Sequence, residues 1–182
     1  MHYSVKSMSD NVIPDFENET GYLPYGKHKP SFKEFEARFV VAFPDSETRS
    51  EIMLKYKQHC KELISLDIAE KQWIDGSYVT NVVNPGDIDL LTQFNGLEMD
   101  QKGITKEDVE NVTCDMPLEK DGGLCHSFPV VWYPKEKEDL YEDYWNTKVR
   151  YLVSIWGMDN EYTLKGLIEF DIDILEGALI EK

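Results

Sequence analysis

Long apolar runs are absent from the 182 residues of this sequence, and none approaches the length that a membrane-spanning helix needs. Residues 1–11 are polar and contain no apolar segment of the kind found in a secretory signal. Cysteine is also scarce. The three cysteines are odd in number and show no Cys-x-x-Cys spacing. That usage indicates neither a disulfide framework nor a zinc site. Together these absences argue against membrane and disulfide-rich proteins and favour a cytoplasmic protein.

Positive charge is in short supply. Nineteen Lys and Arg residues stand against 35 Asp and Glu residues, and the formal net charge is −16. Such a surface repels a polyanion and forgoes the counterion release that drives most nucleic-acid binding, so long nucleic acid is an unfavourable partner. A nucleoside triphosphate carried with a metal ion remains compatible with this charge. A protein partner with a basic face is equally compatible.

Length and composition, with 41% hydrophobic residues, indicate one globular domain. Residues 1–30 are rich in Pro, Gly, Asn and aromatic residues without a helical or strand period, which predicts an irregular arm. The residues expected to anchor this arm by burial are Phe16, Tyr22, Leu23 and Tyr25. From residue 31 to 182 the patterns predict an α/β (α+β) domain in which helices pack on a small mixed β-sheet.

Within that domain, amphipathic or capped segments predict helices, one of them at 136–145, and apolar runs predict four strands. The helices are expected at 32–40, from a cap at Asp45 or Ser46 to about 67, and at 106–112 after Thr105. The strands are expected at 71–75, 87–94, 126–133 and 164–172.

The chemistry is concentrated around two of these strands. The first ends in Asp75-Gly76-Ser77, and the second begins at Asp87-Ile88-Asp89 after a Pro-Gly turn. Alternation along a strand places Asp87 and Asp89 on one face and directs Ile88 towards the core. Two carboxylates side by side repel each other unless a cation lies between them, and their oxygens suit magnesium.

Gly76 and Ser77 complete this pattern on the other side of the turn. They are expected to open a short helix at 77–82, whose free backbone N–H groups would cradle phosphates. Lys165, at the start of the last predicted strand, is a candidate contact for a triphosphate; the alternative is a solvent-facing strand lysine. Phosphate binding beside metal-binding carboxylates is the equipment that nucleotidyl transfer requires.

Gly76-Ser77 followed by Asp87-Ile88-Asp89 resembles the signature of the DNA polymerase beta-like nucleotidyltransferase superfamily. The chain also resembles a little-characterised prokaryotic and phage family of predicted minimal nucleotidyltransferases. That likeness rests on the central motif, on the segments 13–16 and 21–28, and on Tyr144-Trp145 with Lys165-Gly166.

The resemblance implies a nucleotidyltransferase fold and a magnesium-dependent enzyme that transfers a nucleoside monophosphate from a nucleoside triphosphate to an acceptor. Asp87 and Asp89 would be the catalytic, metal-binding residues, and Gly76 and Ser77 would bind the nucleotide. By the same likeness, the setting would be toxin-like or related to phage defence.

The sequence departs from that pattern at one position. The resemblance places a third carboxylate on the strand at 126–133, where this chain has His126 and Ser127 and no acid. Three interpretations are open: Asp115 or Asp121 substitutes from the preceding loop, His126 acts as the base, or the site is incomplete. The last leads to an alternative function, a degenerate nucleotidyltransferase fold that binds a basic protein through its acidic surface.

Overall fold

The computed structural model describes residues 13–113, 123–142 and 156–180. Its centre is a five-stranded sheet in the order β1-β5-β2-β3-β4. The strands are β1 (Gly26–His28), β2 (Ala69–Asp75), β3 (Ile88–Asn95), β4 (Cys125–Trp132) and β5 (Gly166–Asp171). The α-helices are α1 (Phe32–Glu36), α2 (Arg49–Ser65), α3 (Gly96–Lys102), α4 (Lys106–Val112) and α5 (Ile172–Leu179). Residues 138–142 are also helical.

The sheet is mixed. β2 runs antiparallel to β3 and β5, whereas β3 pairs with β4 and β1 pairs with β5 in parallel. Helices accompany this sheet, so the predicted α/β fold with a small mixed sheet is confirmed. Of the helices that the described ranges contain, none is both long and apolar enough to cross a membrane.

The two faces of the sheet differ. On one face, buried residues of β2, β3 and β5 pack with α1, α2 and α5 into the largest apolar cluster, whose members include Ile74, Leu90, Ile168, Phe35 and Tyr56. The opposite face carries a smaller cluster around Trp73, Leu91 and Trp156. The same face carries the ionisable residues Asp75, Asp89, His126 and Glu169, whereas the helix-covered face carries the buried, hydrogen-bonded amide and hydroxyl of Gln72 and Thr92.

Local sequence signals account for the helix starts. Ser31 caps α1 and Thr105 caps α4, each through a capping box with an acidic residue three positions later. The expected helix at 32–40 is present in extent, but α1 passes at Ala37–Val41 into a π-helical turn. The predicted cap of α2 at Asp45 or Ser46 is wrong, because the N-cap is Thr48, which makes no side-chain cap bond. The Ser46 hydroxyl accepts hydrogen bonds from the backbone N–H groups of Thr48 and Arg49 in the turn before the helix.

The arm is more ordered than predicted. Residues 26–28 form β1, because the segment pairs in parallel with β5 at the sheet edge. Leu23 is buried, but Tyr25 is 69% exposed, so the predicted burial of Tyr25 is wrong. Its place just before an edge strand leaves the ring in solvent. Residues 1–12 and the motif residues Tyr144 and Trp145 lie outside the described residues.

A buried carboxylate organises the polar face near β1. Glu169 accepts a 2.6 Å hydrogen bond from Trp73 Nε1 and pairs with the ammonium groups of Lys27, Lys29 and Lys71 at 3.3, 2.6 and 3.5 Å. Burial by itself raises the pKa of Glu169, but the hydrogen bonds from Lys29 and Trp73 and the charge of Lys27 outweigh it and lower the pKa to about 2. Glu169 therefore stays ionised in acid.

We expect this pairing to make stability depend on pH. The pKa is depressed in the folded state, so the contribution is present above the unfolded value of 4.5 and is lost as the pH falls towards 2. After allowance for the half-exposed lysines, we expect ionised Glu169 to contribute about 2 kcal/mol to the free energy of unfolding. Urea unfolding of wild type and Glu169→Gln between pH 6 and 2.5 measures it, and the stability difference should shrink by most of that amount. Glu19→Gln, at an exposed position of the arm, should show a constant difference; a constant difference for Glu169→Gln as well would contradict the assignment.

Candidate functional site

The predicted site residues meet at one end of the sheet. Since β3, β4 and β5 all run opposite to β2, the carboxyl end of β2 lies beside the amino ends of the other three strands. The register pairs Asp75 with Asp89 and Asp89 with His126. Directly paired residues share one face of a sheet. Three titratable side chains from three strands are therefore neighbours.

Asp87, Asp89 and His126 form a cluster of metal-binding type. Nδ1 of His126 lies 3.2 Å from Oδ2 of Asp87 and 3.3 Å from Oδ1 of Asp89. One ligand atom from each residue lies within 4.8 Å of the others. Ile88 and Leu90, which alternate with the carboxylates, are completely buried. The predicted alternation along this strand is thus confirmed, although β3 itself begins at Ile88 rather than at Asp87.

The electrostatics of the cluster favour a cation. Burial first, and then the negative charge of Asp87, raise the pKa of Asp89, while His126 opposes the shift. Across the ranges 13–113, 123–142 and 156–180, no Lys or Arg forms an ion pair with either carboxylate. Two partly buried carboxylates with only an imidazole between them fit a divalent cation, because such an ion relieves their repulsion.

Gly76 allows the close approach of Asp89. Its φ of 77° belongs to the region that side chains rarely adopt, and a Cβ atom there would lie 1.8 Å from Oδ2 of Asp89. The predicted helix at 77–82 is only a 3₁₀ turn, Ser77–Val79. The backbone becomes extended at Thr80, whose N–H and hydroxyl both donate to the Ser77 carbonyl. A helix dipole is therefore not available for phosphate, and only the backbone N–H groups of the turn remain.

Arg49 of α2 fixes the segment between Gly76 and Asp87. Its guanidinium is completely buried and donates to the carbonyl oxygens of Tyr78, Thr80 and Val82 at 2.6–2.9 Å and to that of Phe39 at 3.0 Å. Burial lowers the pKa of Arg49 to about 10, so the group remains charged at neutral pH. One side chain thus holds the chain in register between the two halves of the motif.

Lys165 lies beside the site because it forms an ion pair with Asp75. Its ammonium group lies 2.9 Å from Oδ1 of Asp75, and the lysine side chain is only 12% exposed. The carboxylate also accepts a 2.8 Å hydrogen bond from the Gly157 N–H. The alternative of a solvent-facing lysine is therefore wrong. Lys165 is close to the carboxylates at the sheet end, but its charge is shared with a buried acid.

Within the described part of the chain, a larger and a smaller cavity adjoin these residues. The larger, about 470 Å³, is lined by Asp75, Gly76, Asp89, Phe128, Trp156 and Lys165, among others. A second cavity of about 260 Å³ extends past Tyr25 and Lys27 towards Leu164. Both are bordered by Trp156, Met158 and Lys165. The site therefore has room for a ligand beside Asp89 and for a second group beyond Lys165.

Sequence reasoning missed the role of Asp75. The signal was a carboxylate at the end of an apolar strand, where burial demands a partner, and Lys165 supplies it.

Asp115 and Asp121, considered as substitutes for the third acid, lie outside the described residues. The β4 position opposite Asp89 is occupied by His126. Ser77 begins the 3₁₀ turn next to Gly76 and is partly exposed.

Comparisons with known proteins place the chain in a family. No curated protein and no solved structure matches it. Residues 14–171 match a family described as a family of unknown function, DUF6932. The match covers β1 to β5, including Gly76, Asp87, Asp89, His126 and Lys165. The chain belongs to DUF6932.

Proposed function

We propose that this protein is a nucleotidyltransferase that moves a nucleoside monophosphate from a nucleoside triphosphate to an acceptor hydroxyl, with a divalent cation held by Asp87 and Asp89. The observation that carries the proposal is the meeting of Gly76, the two carboxylates and Lys165 at one end of the sheet beside a cavity of about 470 Å³. The resemblance of the Gly-Ser and Asp-x-Asp motif supports the same reaction.

In this reaction the acceptor hydroxyl oxygen attacks the α-phosphorus and its proton passes to solvent water, while the bond from that phosphorus to the bridging oxygen breaks and pyrophosphate leaves. A bound cation supplies neutralisation of the phosphate charge. Asp87 and Asp89 hold that cation, Gly76 keeps the wall of the cavity free of a side chain, and Lys165 presents a positive charge to the anionic ligand. Ser77 is the candidate phosphate contact next to Gly76.

The acceptor is expected to be something other than a long nucleic acid. A net charge of −16 opposes a polyanion. The second cavity of about 260 Å³ meets the first at Lys165, Trp156 and Met158 and would receive the accepting group. A protein side chain, a small molecule, or an RNA end presented by a partner fits this arrangement.

One observation favours the alternative, a degenerate fold that serves as an interaction module. In the described part of the chain, β4 carries no carboxylate, and His126 stands opposite Asp89. Loss of a catalytic acid removes much of the transition-state stabilisation from phosphoryl transfer. Such a module would keep the acidic surface for a basic protein and would not bind a triphosphate.

Calorimetric titration separates the two functions. Each nucleoside triphosphate is titrated into the wild-type protein with magnesium, with manganese and without metal. We expect binding that requires the metal, and its loss in an Asp87→Ala, Asp89→Ala variant, because the triphosphate and the cation bind together. Exposed Asp45 and Glu47 have the same spacing, so Asp45→Ala, Glu47→Ala removes equal charge as a matched control. Failure of the wild-type protein to bind any nucleoside triphosphate would refute the proposal that the protein is a nucleotidyltransferase.

A further inference from the structure

The third member of the Asp87–Asp89–His126 cluster departs from the all-carboxylate set that the resemblance implies. Nδ1 of His126 faces both carboxylates, at 3.2 and 3.3 Å. The register explains this, because His126 of β4 lies opposite Asp89 of β3 and shares its face of the sheet. The imidazole therefore occupies the position of a third ligand.

The distances from Nδ1 of His126 to the two carboxylate oxygens are those between ligands of one ion. Two ligand atoms at about 2.1 Å from a metal are about 3.0 Å apart at a right angle and about 3.4 Å apart in a tetrahedron. The two distances from Nδ1 fall within this interval. One ligand atom from each of Asp87, Asp89 and His126 lies within 4.8 Å of the others, so the three side chains can close on the same ion.

The ring orientation favours a ligand over a general base. Nε2 of His126 is buried and has no hydrogen-bond partner among the described residues. The ring edge packs at a steep angle against Phe128, with centroids 6.4 Å apart. Nδ1 is therefore the nitrogen that can act, and it points at the carboxylates. A base must instead reach the acceptor hydroxyl.

We propose that His126 is the third metal ligand of this site and that the mixed nitrogen and oxygen set prefers a first-row transition-metal ion, with Mn²⁺ as its probe, over Mg²⁺. Mg²⁺ favours oxygen ligands, whereas imidazole binds transition-metal ions well, and affinity for such ions rises along the first row. The inference rests on the proposed function for what the ion does, but the binding itself requires no nucleotide.

The test measures metal binding to the nucleotide-free protein. Calorimetry and electron paramagnetic resonance should show Mn²⁺ bound at least about tenfold more tightly than Mg²⁺. Pulsed electron paramagnetic resonance should detect hyperfine coupling between bound Mn²⁺ and the ¹⁴N of the His126 imidazole. In His126→Ala the Mn²⁺ affinity should fall by about tenfold or more, the loss of Mg²⁺ affinity should be smaller, and the nitrogen coupling should disappear.

A second variant keeps the test independent of folding defects. His126→Asp supplies an oxygen ligand in place of the imidazole, so the preference should move towards Mg²⁺ while metal binding persists. His59→Ala removes an imidazole from α2, outside the cluster, and should leave the preference unchanged.

Absence of metal binding, absence of nitrogen coupling in the wild-type protein, or an unchanged preference in His126→Asp would overturn the inference. If the metal results appear as expected but no triphosphate binds, the ligand assignment stands and the nucleotidyltransferase proposal fails.

Discussion

Gly76→Ala should unfold at a markedly lower urea concentration than the wild-type protein and should lose metal-dependent triphosphate binding. The new Cβ atom would lie 1.8 Å from Oδ2 of Asp89, and the φ of 77° with a ψ of −166° is a conformation essentially restricted to glycine. We expect a cost of about 2–4 kcal/mol from strain and overlap. Since relief of the overlap must move Asp89, binding should weaken by more than about tenfold. Urea unfolding and calorimetry measure the two effects.

Two other glycines separate the causes. Gly103 also has a positive φ, of 67°, but nothing lies within 4 Å of its Cβ position, so Gly103→Ala reports strain alone, about 1 kcal/mol. Gly86 has neither a positive φ nor a neighbour, so Gly86→Ala should stay within about 0.5 kcal/mol. If Gly76→Ala resembled Gly86→Ala in stability and binding, the close approach between Gly76 and Asp89 would be refuted.

Arg49→Met should produce the largest loss of stability among the substitutions discussed. It leaves four backbone carbonyl oxygens without their donor and removes a guanidinium that lies 3.8 Å from the centre of the Phe43 ring. We expect about 3–5 kcal/mol, the range for breaking a buried charged network. Denaturant unfolding followed by tryptophan fluorescence measures it. The freed segment should also become sensitive to proteolysis near residues 80–86.

Lys57→Met is the matched control for Arg49→Met. Lys57 lies on the same helix, is one-third exposed and pairs with Glu36 at 2.5 Å. A surface pair of this kind contributes about 1 kcal/mol or less. Equal losses for the two variants would show that Arg49 does not organise the segment between Gly76 and Asp87.

Much of the fold could be predicted because its signals are local. Thr105 followed by Asp108 predicts α4 through its cap, and the alternation of Asp87, Ile88 and Asp89 predicts the buried face of β3. β1 has no such signal. Its three residues become a strand only because β5 offers an edge, and that pairing joins distant parts of the chain.

The site was predictable only in part, for the same reason. Gly76, Asp87 and Asp89 belong to one short motif and are visible in the sequence. The contact of Lys165 with Asp75 and that of His126 with Asp89 depend on strand order and register. A single sequence does not encode register in any local pattern when strands pair across long separations.

The strand order also has a consequence for folding kinetics. β5 lies between β1 and β2, so the inner pairings of the sheet require a late segment to insert between two early ones. Closing such long loops is slow, because chain entropy is lost before the contacts form. Partly folded chains in which β2, β3 and β4 have assembled would hold Asp87, Asp89 and His126 together while Lys165 was still absent. The capacity to bind a metal ion would then arise before the complete cavity does.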